Sequence, residues 1–543
     1  MTKDVDVVVI GAGFAGLRAL HTLREQGRSV AVLEAGGGVG GVWYWNRYPG
    51  ARCDVESYDY SYAFSEELEQ EWRWTERYAA QPEILRYAEH VADRFDLLRD
   101  VHLHRWMSDA TWDDAAGRWT VEVTVGEDGG SETWTGAHLI MAVGNLSTTK
   151  APQWPGQDSF TGRILHSARW PHEGVDLSGQ RVGIIGTGSS GMQMVPVVAK
   201  EADHLSVFQR TPNFSIAAAN EPLTDERDAE VKAHYRERRE AALNSPSGLG
   251  FKPSKQSALE ATPDERQETY EKAWTRLGFG FVLAYYDLIL DEKANETASE
   301  FIRDKIAEKV DDPATREKLT PRGFPFGAKR PSVDSGYFEA FNRDDVTLVD
   351  VKSDPIEALT PNGVRLASGT EHELDTLVFA TGFDAMTGSL LRPEITGRDG
   401  LTLRQAWSEG PKTFLGPFVH GFPNFYIVAG PGSPSLLSNV LLSIEQHVDW
   451  LAALLAHAES RGATRIEATA EAQEKWVSHV NERAQATLYP RATSYYNGDE
   501  VEGKPRVFMP YVGGVRGYRR ILEQVRDDDY EGLTLDKAPV GVS

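Results

Sequence analysis

The chain has 543 residues, too many for one hydrophobic core, and its length alone suggests about three domains. Its 57 Lys and Arg against 81 Asp and Glu leave a net charge of −24. That charge sets nucleic acid and anionic membranes aside as partners, so any phosphate-bearing ligand has to be held by local cations. A single cysteine, Cys53, excludes an intrachain disulfide and two-thiol redox chemistry, and no run reaches the roughly 18 apolar residues of a membrane span.

The N-terminal residues enter a strand without a charged-then-apolar leader, and a cytoplasmic protein is expected. Residues 5–10 (VDVVVI) form a short apolar, β-branched run. Gly11, Gly13 and Gly16 follow in GxGxxG spacing, and then a helical pattern passes through Leu17, Leu20 and Leu23. Strand, glycine turn and helix in this order make a dinucleotide-binding unit, with the helix N-terminus facing the phosphates. A second strand, 29–33, ends at Glu34, 18 residues beyond Gly16. An acid at that offset accepts hydrogen bonds from an unphosphorylated ribose, which suits FAD or NAD and disfavours NADP.

Residues 40–54 read GGVWYWNRYPGARCD. Trp43, Trp45, Tyr48 and a Pro-Gly turn beside a nucleotide unit suggest a flat ligand held against shaped loops, with the Asp54 carboxylate nearby. Ordinary aromatic packing is the alternative. Residues 55–100 are expected to be largely helical and 101–143 to be short strands. A Pro-containing stretch, 151–155, is expected to cross between domains.

A second unit starts at Arg181. Its strand, 182–185, leads into Gly186, Gly188 and Gly191, a helix is expected from Met192, and a further strand at 205–208 ends at Gln209, Arg210 and Thr211. Arg210 lies 19 residues beyond Gly191, matching the offset of Glu34, and a base there pairs with a ribose 2′-phosphate. The acid-ended unit therefore suits FAD and the base-ended one NADPH, although Arg210 also reads as a solvated surface charge. Residues 221–325, rich in charge and poor in β-branched runs, read as a helical insertion without chemistry. Lys329, Arg330 and Pro331 close it, either as exposed charge or as functional cations. Strands return over 346–383 and 424–430, and a helix is expected at 441–455. His447 on that helix is read as a helix-surface or satisfied histidine rather than a catalytic one.

Between the two glycine motifs lies FTGRILHSARWP, residues 160–171. It matches FxGxxxHxxxW(P/D), the fingerprint of Baeyer–Villiger monooxygenases, and residues 40–54 match the family's GGxWxxxx(F/Y)PGxxxD. KRP at 329–331 and ATGFD at 380–384 follow in the family's order, so the resemblance covers essentially the whole chain. It implies an α/β fold with two Rossmann-like dinucleotide-binding domains, for FAD and NADP. The expected division is 1–150 and 385–543 for FAD, 151–220 and 331–384 for NADP, and 221–330 for the helical insertion. The implied reaction uses NADPH and O2 to convert a ketone to an ester or lactone through a C4a-peroxyflavin stabilised by Arg330, with Asp54 orienting the guanidinium.

By the same resemblance Lys329, Arg210 and Thr211 hold the NADP 2′-phosphate, Trp43, Asp54 and Tyr60 line the flavin, and Glu34 serves its ribose. His166 of the fingerprint is expected to couple the domains rather than to shuttle protons. No metal is implied, and the partners are a small-molecule ketone and O2, with the chain a monomer or weak oligomer. The chain departs from the family pattern twice. Ser494, Tyr495 and Tyr496 stand where relatives usually carry a Trp that contacts the nicotinamide ribose, so Tyr495 is expected to take that work. In the expected substrate pocket of Leu436, Leu437 and Val440, Val440 replaces a larger Met found in a relative. Two other readings compete: a flavin monooxygenase acting on sulfur or nitrogen, and an NADPH oxidase or redox-sensing flavoprotein.

Overall fold

The computed structural model describes residues 2–126, 129–150, 152–251, 254–276 and 278–537; Ala151, the first residue of the expected domain crossing, lies outside them. Two largely parallel sheets organise the chain. The first has eight strands, in the order Glu394–Thr396, Arg105–Asp113, Arg118–Val125, Gly130–Met141, Lys3–Ile10, Val30–Leu33 and Val101–His102, with Phe425–Ile427 also paired to Gly130–Met141. Its centre is parallel, with Val7 opposite Val30 and His138. Successive side chains of Lys3–Ile10 alternate between two cores. Val7 and Val9 pack under the helices Phe14–Glu25 and Val440–Ser460, whereas Val8 and Ile10 face the Trp112, Trp119 and Trp134 cluster. A strand buried on both faces needs the uninterrupted apolar run seen in the sequence.

The second sheet has five strands, in the order Val346–Asp350, His204–Gln209, Arg181–Ile185, Thr376–Phe379 and Arg163–His166, all parallel. The 163–166 strand belongs to the fingerprint, so His166 sits at the end of an edge strand. The expected helix of this unit begins at Ser189, earlier than Met192, because Gly188 is already its N-cap.

Residues 55–100 are less helical than expected. Only Glu66–Glu71 and Gln81–Arg94 form α-helices, with one 3-10 turn at Leu98–Asp100. Tyr58, Tyr60, Tyr62, Trp74 and Tyr78 are buried around them, and these large rings fill the core from irregular backbone whose amides are met by side chains. The Ser57 hydroxyl accepts from Ala79 N (3.0 Å), and Glu83 accepts from Thr75 N (2.9 Å).

The insertion is helical, as its charge-rich sequence suggests: Asp225–Ala233, Tyr235–Leu243, Pro263–Arg276, Glu292–Lys309 and Pro313–Leu319. A parallel two-stranded neck, Ser215–Ala217 with Ser332–Asp334, closes it. Arg238 grips Asp59 through two hydrogen bonds (2.7 and 2.6 Å) and Glu56 through a third (2.9 Å), and Arg239 pairs with Glu69 (2.7 Å). These bonds tie the insertion to residues 56–69. No helix among the described residues is long and apolar enough to cross a membrane.

Candidate active site

Both glycine turns open onto one cavity of about 1280 Å³. Ordinary small-molecule pockets run to roughly 1,000 Å³, so this space suits more than one ligand. Gly11 and Gly186 start the turns with φ of +100° and +111°, a backbone region that side-chain-bearing residues rarely adopt. A Cβ at Gly16 would collide with the Gly11 carbonyl, and one at Gly191 with the Gly186 carbonyl, so these glycines serve close packing and do not line the cavity. At Gly188, by contrast, a Cβ would meet nothing within 4 Å, which leaves the helix N-terminus open to a ligand.

Glu34 is buried at the end of its strand and lines the first half of the cavity. Its two oxygens accept the amides of Ala12 (2.6 Å) and Gly36 (2.7 Å). It therefore stiffens the glycine turn, and each oxygen keeps capacity for a second donor such as a ribose hydroxyl. Burial raises its pKa against those two hydrogen bonds. Trp43 donates from Nε1 to the Tyr60 hydroxyl (3.0 Å), and both rings line the same wall. At the other end Gly186, Gly188, Arg210, Thr211 and Lys329 line the cavity. Burial lowers the Lys329 ammonium from its ordinary value; Arg210 acts in the same direction, while Glu500 and Asp499 oppose it. Asn213, which donates to the Arg330 carbonyl (3.2 Å), has a buried side-chain oxygen with no partner in the same cavity.

Between the two halves stands Arg330. Nε and Nη2 donate to Asp54 at 2.7 and 2.9 Å, a two-point fork, and Nη1 donates to the Leu436 carbonyl at 2.6 Å. Burial would raise the Asp54 carboxyl, but the Arg330 charge and hydrogen bonds outweigh it and hold the group below the usual carboxylate range. The guanidinium is pushed well above its ordinary value and stays charged at any working pH. A fixed cation thus faces a wall that includes Leu436, Val440, Leu441 and Ile444.

The substrate-pocket expectation needs one correction. Leu437 does not line the cavity; it packs outside it against Ala484, Tyr496 and Phe508. Both leucines of the 3-10 turn Ser435–Leu437 touch that cluster, but only Leu436 also reaches the cavity. Tyr495 lines the cavity, and its ring lies 4.6 Å from that of Tyr496. Burial raises the Tyr496 phenol, partly offset by Arg330 and by hydrogen bonds with Tyr495 and Arg330. The loop carrying them is latched by Lys504, which donates to Asp384 (2.5 Å) and to the Ala385 carbonyl (3.2 Å).

Several contributors carry no sequence signal. Gln193, on the helix after the second glycine turn, accepts from the Tyr48 hydroxyl (2.8 Å) and donates to the Arg52 carbonyl (3.0 Å), docking residues 48–52 onto the second unit. Asn145 is buried and donates to the Ala429 carbonyl (3.1 Å) and to Ser435 (2.8 Å). His447 accepts from Ala429 N (3.0 Å) and meets the Tyr518 hydroxyl (2.8 Å), a satisfied core histidine. Among the described residues no group of three His, Cys, Asp or Glu side chains is arranged to hold a metal ion.

The open second turn, the orphaned Asn213 oxygen, the acid at the first turn and the cations at the second fit two dinucleotides, FAD and NADP. Comparison with known proteins agrees. Residues 5–238 match the pyridine nucleotide-disulphide oxidoreductase family model. A Baeyer-Villiger monooxygenase of Pseudooceanicola batsensis is 44% identical over 98% of this chain and 97% of its own. The phenazine N-monooxygenase PhzNO1 of Lysobacter antibioticus is 41% identical over 98% and 97%. A solved structure of oxidised steroid monooxygenase bound to NADP superposes with a TM-score of 0.94 at 50% identity, covering 98% of this chain and 100% of that one. With relatives of this closeness along its whole length and an Arg–Asp pair between two nucleotide turns, the chain belongs to the Baeyer–Villiger monooxygenases, the FAD-containing, NADPH-dependent flavoprotein monooxygenases.

Proposed function

We propose that this chain oxidises ketones to esters or lactones with NADPH and O2, using Arg330 to stabilise negative charge on oxygen during transfer. One observation carries the reading: a permanently charged guanidinium, fixed by Asp54 and the Leu436 carbonyl, borders an apolar wall between the two nucleotide turns. When bound and reduced by NADPH, FAD would activate O2, one atom of which would go to the ketone and the other to water. The chain's own residues do the rest. Arg330 offers a preorganised positive charge that needs no reorganisation as charge develops, the arrangement that contributes most in a dry site. Asp54 holds the fork in one orientation, and Leu436, Val440, Leu441 and Ile444 keep water from the reacting carbonyl and favour an apolar ketone. Glu34 with Trp43 and Tyr60 takes the FAD side, and Lys329, Arg210 and Thr211 take the 2′-phosphate.

The division into an FAD-binding domain (1–150 and 385–543), an NADP-binding domain (151–220 and 331–384) and an insertion (221–330) is supported by Glu394–Thr396 and Phe425–Ile427, which join the first sheet. A cytoplasmic monomer or weak oligomer accords with the lone cysteine and the acidic composition.

The test supplies NADPH, isotopically labelled O2 and a panel of aryl, cyclic and steroid ketones, with products read by mass. One labelled oxygen in an ester or lactone supports the reading. NADPH consumption matched by H2O2, with no ester from any ketone, overturns it in favour of an oxidase. The phenazine N-monooxygenase relative favours a second reading, oxygen transfer to nitrogen or sulfur. An N-oxide or sulfoxide formed without any ester would establish that alternative.

A further inference from the structure

The cavity that Lys329 and Arg210 line has a further cation. Lys150 lines the same cavity as Lys329 and Arg210, from a different stretch of chain. Its backbone is held on both sides. Its amide donates to the Gly382 carbonyl (3.1 Å), and its carbonyl accepts from the Thr381 hydroxyl (2.7 Å) and meets His166 Nε2 (3.1 Å). Because Ala168 N donates to His166 Nδ1 (3.1 Å), the imidazole proton sits on Nε2 and His166 is the donor to Lys150. The fingerprint histidine and the ATG stretch thus fix the backbone of one lysine whose side chain reaches into the cavity. That ammonium meets Glu500 of the C-terminal loop at 3.5 Å, with the two side chains 23% and 25% exposed. Glu500 lines the cavity too, and its charge also acts on Lys329. One loop carboxylate therefore acts on two cations of this cavity, Lys150 by contact and Lys329 through its charge.

We propose that Lys150 is a third cation of the 2′-phosphate subsite and that Glu500 is an internal anion competing with that phosphate, so that the pair sets discrimination between NADP and NAD. This rests on the reading of Lys329 and Arg210 as phosphate ligands. An arriving 2′-phosphate takes Lys150 from Glu500, and a departing one returns it, so the carboxylate weakens coenzyme retention. A carboxylate acting only as a loop latch would instead support both coenzymes equally.

The test measures dissociation constants of NADP+ and NAD+ by equilibrium dialysis on FAD-loaded wild type, Glu500→Gln, Lys150→Met and Arg210→Gln, with no turnover involved. Glu500→Gln is expected to tighten NADP+ about threefold to tenfold, the range for a half-buried charge pair, and to leave NAD+ unchanged. Lys150→Met is expected to weaken NADP+ by a similar factor, again sparing NAD+; it stands alone if the Gln variant does not fold. NADP+ binding that is unchanged in Glu500→Gln, or weakened together with NAD+, overturns the competition. If wild type prefers NADP+ and Arg210→Gln removes that preference, such a result sinks this inference alone. A wild type that binds both coenzymes equally sinks the phosphate reading as well.

Discussion

Replacing Arg330 by alanine separates its two roles. The side chain makes two charge-assisted hydrogen bonds to Asp54 and one to the Leu436 carbonyl, at 2.7, 2.9 and 2.6 Å. Bonds to charged groups contribute about 1.5–3 kcal/mol each, and breaking a buried pair from one side costs about 3–5 kcal/mol. With side chains 16% and 25% exposed, solvent screens part of this, and a loss of about 2–3 kcal/mol of stability is expected. The catalytic loss is separate. Removing one preorganised group from a site of developing negative charge costs about 10²–10³ in kcat. Arg330→Lys keeps the charge but offers one ammonium in place of a planar fork, so its ester yield should fall between wild type and Ala. Asp54→Asn keeps the cation and frees its orientation, with about a tenfold loss expected. The assay measures FAD content, anaerobic flavin reduction by NADPH, and ester formed per NADPH. The Ala variant should retain FAD and be reduced within about threefold of the wild-type rate. Ester yield near wild type from the Ala variant, with FAD in place, would refute the assignment of Arg330.

Arg210→Gln should raise the NADP+ dissociation constant about 10–100-fold and leave NAD+ nearly unchanged; equal losses for both coenzymes would remove Arg210 from the phosphate site. His447 is fully buried and neutral, and burial pulls its pKa to about 3 from 6.5. A depressed folded-state pKa means that its contribution is intact above about pH 6.5 and is lost as pH falls toward 3. His447→Phe, which orphans the Ala429 amide, should cost about 1–3 kcal/mol at pH 7.5 and flatten the acid limb of the melting curve; an unchanged limb would contradict this. Burial lifts Glu445 from 4.5 to about 7, against Arg239, the Ala63 amide and Arg18. Raised in the folded state, it contributes stability below about pH 4.5 that is lost as pH rises to 7. Glu445→Gln should therefore melt a few degrees higher than wild type at pH 8 and no higher at pH 4.5, and equal melting at pH 8 would argue against the shift.

Much of the fold is legible because its signals are local. A β-branched run, three glycines and an end residue of defined charge specify each nucleotide turn within about 35 residues. Glu34 and Arg210 accordingly line one cavity, each from its own nucleotide unit. Contacts made only in three dimensions are not legible. Gln193 is an ordinary amide on a helix until Tyr48 and Arg52 arrive from 145 and 141 residues away. Tyr496, beside Tyr495 in sequence, faces Arg330 from a buried position that no pattern distinguishes. Leu436 and Leu437 look equivalent as letters, yet only Leu436 reaches the cavity. The aromatic stretches of 55–100 bury their rings in the core from irregular backbone, so apolar content there does not mark a helix.

The Arg330–Asp54 pair also dictates when during folding the proposed reactive centre can assemble. Glu34 and Ala12 close their contact across 22 residues, whereas Arg330 and Asp54 are 276 residues apart and Arg330 and Leu436 are 106 apart. Loop closure over such separations is slow and needs both sheets and the insertion neck in place. On the ribosome, the first glycine turn can form while most of the chain is unmade, but the Leu436 contact waits for the last fifth of the sequence. A nascent or truncated chain can thus assemble its first glycine turn and still lack the environment that directs oxygen to a substrate, so oxygen-transfer competence arrives last.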